Sequence, residues 1–161
     1  MHGGQENGRR CGTANVAGIV GFGAAAALAK DRLAHNGATI GQLLARLESG
    51  LRAIGGVEIF SARATRLPNT VYFGVREVDG ETLLMALDRA GMAVTSRSAC
   101  SRGRTEPDPV LLAMGVEAGV AQGSIRVGLA ASHSERGVDA FVTALAAVLN
   151  RLRPAAWRIA G

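Results

Sequence analysis

Aromatic side chains are scarce, at 4% of the 161 residues. A core must therefore be assembled from Leu, Val, Ile and Ala. The scarcity also counts against nucleic acid, because base stacking needs aromatics interleaved with cations. Lysine is scarcer still. Lys30 is the single one, so nearly all the charge behind the formal net +5 is arginine. Those arginines are spread along the chain without a block of like charge, and no nucleic-acid surface is expected. Cysteine occurs twice, at Cys11 and Cys100. Two distant thiols make no disulfide framework, and no Cys-x-x-Cys is present. His2, His35 and His133 lack a metal-ligand spacing. Reduced thiols in a cytoplasmic compartment fit this usage. No apolar run approaches the roughly 18 residues of a membrane span, so no membrane partner is expected. The opening Met-His-Gly-Gly-Gln-Glu-Asn lacks the apolar centre of a signal peptide.

What is present is sufficient for a folded domain. The chain is 48% apolar with a mean hydropathy of +0.18, and its length suits one domain or slightly more. The stretch from Met92 to Pro109 stands out. A short apolar strand signal, Met92 to Thr95, runs into Ser, Gly and Pro, which marks an exposed loop. Cys100 lies near its centre, with Arg97, Arg102 and Arg104 close by in sequence. Cations stabilise the thiolate, the nucleophilic form of cysteine. The residues alone leave two readings, a reactive thiol on a loop or an incidental cysteine on a basic turn.

The remaining chain alternates between elements. Residues 3–13 are rich in glycine and end in Thr13, after which an alanine-rich helix, mostly buried, is expected from Ala14 to Leu33. A glycine loop before a helix N-terminus can hold a phosphate or can simply be a helix entry. His35-Asn-Gly37 should break that helix, and Thr39-x-x-Gln42 should cap a second one carrying Ile40, Leu43, Leu44, Leu47, Leu51 and Ile54, stopped by Gly55-Gly56. Strands are expected at Val57–Phe60 and Thr70–Val75. A helix capped by Asp79 should follow and end at Gly91. A short helix is expected at Val110–Met114. Ser124–Leu129 reads as a strand, with Ile125, Val127 and Leu129 facing a core. Arg126 then projects from the other face, where it is either solvated or an anion site, since arginine grips carboxylate bidentately. Ser132-x-x-Glu135 should cap a last amphipathic helix, ended by Pro154, with a frayed tail at 155–161. Short strands interspersed with helices indicate an α+β layer.

Several motifs together resemble the cysteine desulfurases, a branch of the class V aminotransferases. Gly3-Gly4-Gln5-Glu6-x-Gly8-x-Arg10-Cys11-Gly12-Thr13-x-Asn15 is similar to their Gly-Gly-Gln-Glu … Arg-Ser-Gly-Thr-x-Asn motif. Ser96-Arg97-Ser98-Ala99-Cys100-Ser101 is similar to their Ser-Gly-Ser-Ala-Cys loop. Leu67-Pro-Asn-Thr70, Asp79-Gly-Glu-x-Leu83, Glu106-Pro107, Val110-Leu111-x-Ala113-Met114-Gly115 and Ser124-Ile125-Arg126 follow the family pattern in order.

The resemblance implies a type I pyridoxal-phosphate fold. Residues 1–36 would be the end of the large cofactor domain and 37–161 the C-terminal small domain, with a short mixed or antiparallel sheet covered by helices. It implies that Cys100 is the nucleophile that takes sulfur from L-cysteine, leaving L-alanine and a persulfide. It further implies that Arg126 holds the substrate carboxylate. Thr13 would bind the phosphate of pyridoxal 5'-phosphate in the partner subunit of a homodimer. The sulfur would pass to an acceptor such as an iron–sulfur scaffold.

Departures from the pattern carry weight. The family's Schiff-base lysine falls before the first matched motif, and Lys30 does not align with it, so this chain alone is expected to lack catalytic competence. Cys11 stands where the family has serine, Arg97 where it has glycine, and Asp108-Pro109 where it has a Ser-His pair. A non-catalytic, desulfurase-like binding or dimerisation module is the alternative, and a cofactor-independent thiol sulfurtransferase a third reading.

Overall fold

The computed structural model describes residues 5–9, 11–96 and 107–153. The chain divides into two compact units, Met1–His35 and Asn36–Gly161. One element passes through the boundary: helix α1, Val16–Ala53, runs 38 residues without interruption. The expected break at His35-Asn-Gly37 and the expected cap at Thr39 are both absent. No proline falls in this stretch, and one interior glycine disfavours a helix by only about 1 kcal/mol relative to alanine. The leucines that follow outweigh it by burial. The helix does stop where expected, with Gly56 in the left-handed region at φ 71°.

In the first unit, the expected buried helix is exposed. Val16 is 64%, Phe22 78% and Leu33 71% accessible. Apolar composition on every side signals burial, but burial requires an opposing surface, and the first unit's own described residues supply none.

The second unit is an α+β layer. Strand β1 is Val57–Ile59 and β2 is Thr70–Val75, followed by helix α2, Gly80–Arg89. Strand β3 is Thr95–Ser96; α3 is Pro109–Ala113 and α4 is Ala118–Gln122. Strand β4, Ser124–Gly128, precedes α5, Glu135–Leu152. The four strands lie in the order β1-β2-β4-β3, every neighbouring pair antiparallel.

Alternation along the central strands separates two faces. Val71, Phe73 and Val75, with Ile125 and Val127, join Leu47 and Leu51 of α1, Leu83 and Leu87 of α2, and Leu145 and Leu149 of α5 in the main core. Each such leucine contributes roughly 2 kcal/mol by leaving water. Helix α5 lies close to α1 at Gly50, where a Cβ would stand 2.6 Å from Val142 Cγ2. A smaller cluster, Phe60, Leu111, Val120 and Ala121 with Tyr72, covers part of the opposite face. Arg126 opens onto that face.

Several boundaries differ from expectation for local reasons. Asp79 caps α2 as expected, accepting from Thr82 N–H at 2.9 Å. The cap of α5, however, is Ser134, accepting from Gly137 N–H at 3.2 Å, rather than Ser132. His133 Nδ1 accepts from Ala130 N–H at 3.1 Å, so the preceding residues form a separate turn. Met92 N–H closes the end of α2 by donating to Leu87 O at 2.9 Å, which keeps it out of β3. β1 ends at Ile59, before Phe60. Helix α4 was not foreseen, because five residues are too few to show a period. α5 ends at Leu152 with Arg153 as its cap; Pro154 and the tail 155–161 lie outside the described residues.

Candidate functional site

Arg126 sits in the middle of β4, exposed between buried Ser124 and exposed Gly128. It faces Tyr72 across β2 and Thr95 across β3. A cleft of about 350 Å³ lies beside it, lined by Ala93, Val94, Thr95, Arg126 and Gly128. A Cβ at Gly128 would meet nothing within 4 Å, so the floor is open there. Among the described residues no carboxylate pairs with Arg126. A planar cation with no carboxylate partner among the described residues, at the mouth of a cleft, is suited to bidentate grip of an incoming carboxylate. A second cavity of about 370 Å³, lined by Leu47, Met92, Val138 and Phe141 among others, holds no arginine or lysine. The chemistry therefore favours the Arg126 cleft.

The residue beside Arg126 on β2 is held by side chains distant in sequence. Tyr72 Oη donates to Asp108 Oδ2 at 3.0 Å and lies 2.8 Å from Ser124 Oγ. Asp108 can only accept, so the tyrosine proton points to it and Ser124 donates to the phenol oxygen. Burial chiefly pushes the Tyr72 phenol up to about 12; the Ser124 bond opposes that, the Asp108 bond and charge add to it, and the Arg126 charge opposes it. Asp108 also caps α3, its Oδ1 accepting from Val110 N–H at 2.8 Å.

These contacts bear on Cys100, which lies outside the described residues together with Arg97, Arg102 and Arg104. The described chain on either side is fastened next to Arg126. On one side Thr95 Oγ1 donates to the carbonyl of Arg126 at 3.3 Å. On the other, Asp108 accepts from Tyr72, the cross-strand partner of Arg126. Sequence reasoning had singled out Arg126 by alternation but missed Tyr72, Ser124 and Asp108 as a group. A usable signal existed: Tyr72 alternates with Val71 and Phe73, which places it on the arginine's face.

Thr13 belongs to the first unit and is exposed. It follows a turn at Gln5–Gly8 in which Glu6 and Asn7 adopt left-handed φ of 52° and 56°. Gly12 is also left-handed, at φ 87°. Asn15 Oδ1 then accepts from Gly18 N–H at 3.0 Å at the start of α1. Cys11, which stands beside Gly12, is exposed. A hydroxyl, glycine backbone and a helix N-terminus together suit a phosphate group. Gly3, Gly4 and Arg10 of the same motif lie outside the described residues.

The model of the family described as "Aminotransferase class-V" matches residues 3–141. The chain belongs to the class-V aminotransferase family. Among similar proteins, a cysteine desulfurase of Klebsiella pneumoniae is 42% identical over 92% of this chain. An IscS-like cysteine desulfurase of Mycobacterium tuberculosis is 41% identical over 100% of it. The X-ray structure of a NifS-like protein from Rickettsia africae superposes with a TM-score of 0.80 at 34% identity, over 93% of this chain and 39% of that one. The class-V fold is thus that of the chain, and the two curated relatives bear the name of one activity. This chain spans 38% and 42% of their respective lengths.

Proposed function

We propose that this chain carries the carboxylate-binding and sulfur-accepting parts of a cysteine desulfurase. The reaction would be pyridoxal-phosphate-dependent removal of sulfur from L-cysteine, giving L-alanine and a persulfide on Cys100. The observation that carries the reading is the position of Arg126. It is exposed at a cleft, and the described chain on both sides of the Cys100 segment is hydrogen-bonded to Arg126 itself or to its strand partner.

In this reading Arg126 grips the substrate carboxylate through its two parallel N–H donors. That fixes the amino acid in one orientation with its side chain directed away from the strand. The Cys100 thiolate, favoured by the arginines near it in sequence, attacks the substrate sulfur. An S–S bond forms as the substrate's carbon–sulfur bond breaks; the carbon fragment gains a proton and leaves as L-alanine. Thr13 and the glycine backbone beside it would hold the phosphate of the cofactor in the partner subunit of a homodimer, and the cofactor when bound supplies the electron sink for that bond cleavage. In this reading Lys30, within the alanine-rich part of α1, is not the covalent anchor of the cofactor. The dimer partner, an iron–sulfur scaffold as acceptor and a cytoplasmic setting belong to the same proposal. So does the division into the end of a cofactor domain at 1–36 and a small domain at 37–161.

The test is Arg126→Lys in the holoenzyme. Charge is kept but the fork is lost, so the change is not conservative. Loss of one charge-assisted hydrogen bond, about 1.5–3 kcal/mol, should lower kcat/KM for L-cysteine by roughly ten- to a hundredfold. The loss should fall mainly on KM where the contact is equal in ground and transition states. Wild-type kcat/KM in that variant would remove the carboxylate-anchor assignment.

A second reading is favoured by one observation, the exposed apolar side chains of Val16, Ile19, Val20 and Phe22 on α1. In it the chain is a non-catalytic binding or dimerisation module. Alanine production by the holoenzyme that depends on Cys100 would exclude it.

A further inference from the structure

We propose that Tyr72 is a positioning residue for Arg126, its ring forming the fixed wall that holds the guanidinium over the cleft at Thr95 and Gly128. The proposal rests on the carboxylate-anchor reading of Arg126. Among the described residues, the neighbours of Arg126 on its own sheet face are few. Along β4 they are Ser124, which is buried and bonded to Tyr72, and Gly128, which has no side chain. Across β3 it is Thr95, whose hydroxyl is engaged with the Arg126 carbonyl. Across β2 it is Tyr72. Tyr72 is thus the only bulky lateral neighbour among the described residues. Directly opposed side chains in an antiparallel pair have Cβ atoms about 4.5–5.5 Å apart, within reach of a long side chain lying along a ring.

A wall is useful only if it does not move, and Tyr72 is held at both ends of its side chain. Its ring packs edge-on against Phe60, with centroids 5.2 Å apart and planes at 78°. Its hydroxyl is held between Ser124 and Asp108. Ser124 is buried in the strand that carries Arg126, and Asp108 is fixed by its cap of α3. Ring and hydroxyl are therefore held from three segments, by Phe60 after β1, Ser124 on β4 and Asp108 at the cap of α3. An arginine stem resting on such a surface loses less freedom on binding an anion than one waving in solvent. The cleft lies toward β3, so the wall on β2 directs the guanidinium into it.

The chain contains one tyrosine, which makes the test specific. In the purified chain the phenolate absorbance reports Tyr72 alone. Arg126→Gln should move its midpoint upward, because a nearby cation favours the phenolate; an unchanged midpoint would show that the two side chains are not neighbours and overturn the proposal. In the holoenzyme Tyr72→Phe keeps the ring and removes the hydroxyl bonds, and Asp108→Asn keeps a good helix cap while removing the charge. Each should raise KM for L-cysteine by roughly three- to tenfold, the effect of one ordinary hydrogen bond, with kcat unchanged. Gly41→Ala, inside α1 with nothing within 4 Å of a built Cβ and away from the cleft, should leave KM within twofold. If Arg126→Lys raises KM and Tyr72→Phe does not, the positioning role is wrong while the anchor stands. If neither raises KM, the anchor reading fails and the wall with it. A fall in kcat at constant KM for Tyr72→Phe would also refute positioning, since the hydroxyl would then act in the chemistry.

Discussion

Gly123 joins the fold to the site, and its replacement gives the sharpest test of the packing described above. It lies one residue before β4, and its carbonyl accepts from Val75 N–H at 3.1 Å. A Cβ built on it would collide with the carbonyl oxygen of Val75 and stand 2.5 Å from that of Val78. Both obstacles are backbone, so no rotamer change relieves them. Overpacking of this kind typically costs about 1–3 kcal/mol, and displacement of the Val75–Gly123 hydrogen bond adds about 1 kcal/mol. Gly123→Ala should therefore lose roughly 2–4 kcal/mol, a large part of the 5–15 kcal/mol typical of a folded domain. Gly41→Ala is the control. Gly41 is inside α1 with nothing within 4 Å of a built Cβ, so alanine should gain up to about 1 kcal/mol from helix propensity. Urea unfolding followed by circular dichroism measures both, compared at equal m-values. Equal midpoints for the two variants would refute the reasoning, since they would show that backbone contact at Gly123 does not constrain the chain.

Three other outcomes follow from single residues. Glu48 is a buried carboxylate held by Arg52 at 2.8 Å and by Arg66. Arg66→Ala should destabilise by roughly 1–3 kcal/mol, below the 3–5 expected for a fully buried pair because Arg66 is partly exposed and Arg52 remains; Glu48→Gln in the same background should recover part of the loss in urea midpoints. Burial pushes the Tyr72 phenol up from its ordinary value of 10.0 to about 12 in the folded chain. Its contribution to stability is present below pH 10 and lost as pH rises from 10 through 12, so the urea midpoint should fall across that window and Tyr72→Phe should flatten the fall. Lys30 should carry no phosphopyridoxyl adduct after incubation with pyridoxal phosphate and borohydride; a stable adduct by mass spectrometry would overturn the alignment that leaves it unassigned.

The parts of the fold that a sequence reader can see are those in which one face repeats. Val71, Phe73 and Val75 alternate and are all buried; Val138, Phe141, Leu145, Val148 and Leu149 recur at helical spacing and are buried too. Asp79 is readable because its side chain accepts from a backbone N–H three residues on, in the first turn of the helix it caps. The failures share a cause, which is competition between two adequate local signals. Gly37 resembles a breaker, but the helix around it has enough burial to absorb a penalty of about 1 kcal/mol. Ser132 and Ser134 both precede the same apolar run, and the choice between them falls to a turn closed by His133. Met92 carries a strand signature, yet its N–H is already committed to the end of α2.

The site shows the same limit at longer range. Arg126 could be placed on a face by alternation alone, but what surrounds it depends on pairs separated by 36 and 52 residues, Tyr72 with Asp108 and Tyr72 with Ser124. No local pattern encodes such a pair. Asp108 illustrates why its residue type matters there. The capping role requires one acceptor, and serine would serve as well as aspartate. The structure uses two acceptors at once: Oδ1 takes Val110 N–H and Oδ2 takes the Tyr72 hydroxyl. A serine has one oxygen on a shorter side chain, so it could cap α3 but could not also accept from the Tyr72 hydroxyl. The Asp108-Pro109 pair, which departs from the motif this chain otherwise resembles, is thus matched by a tyrosine on β2 that can use the second oxygen. The substitution and the tyrosine form one unit, and through Ser124 that unit is joined to the strand that presents Arg126.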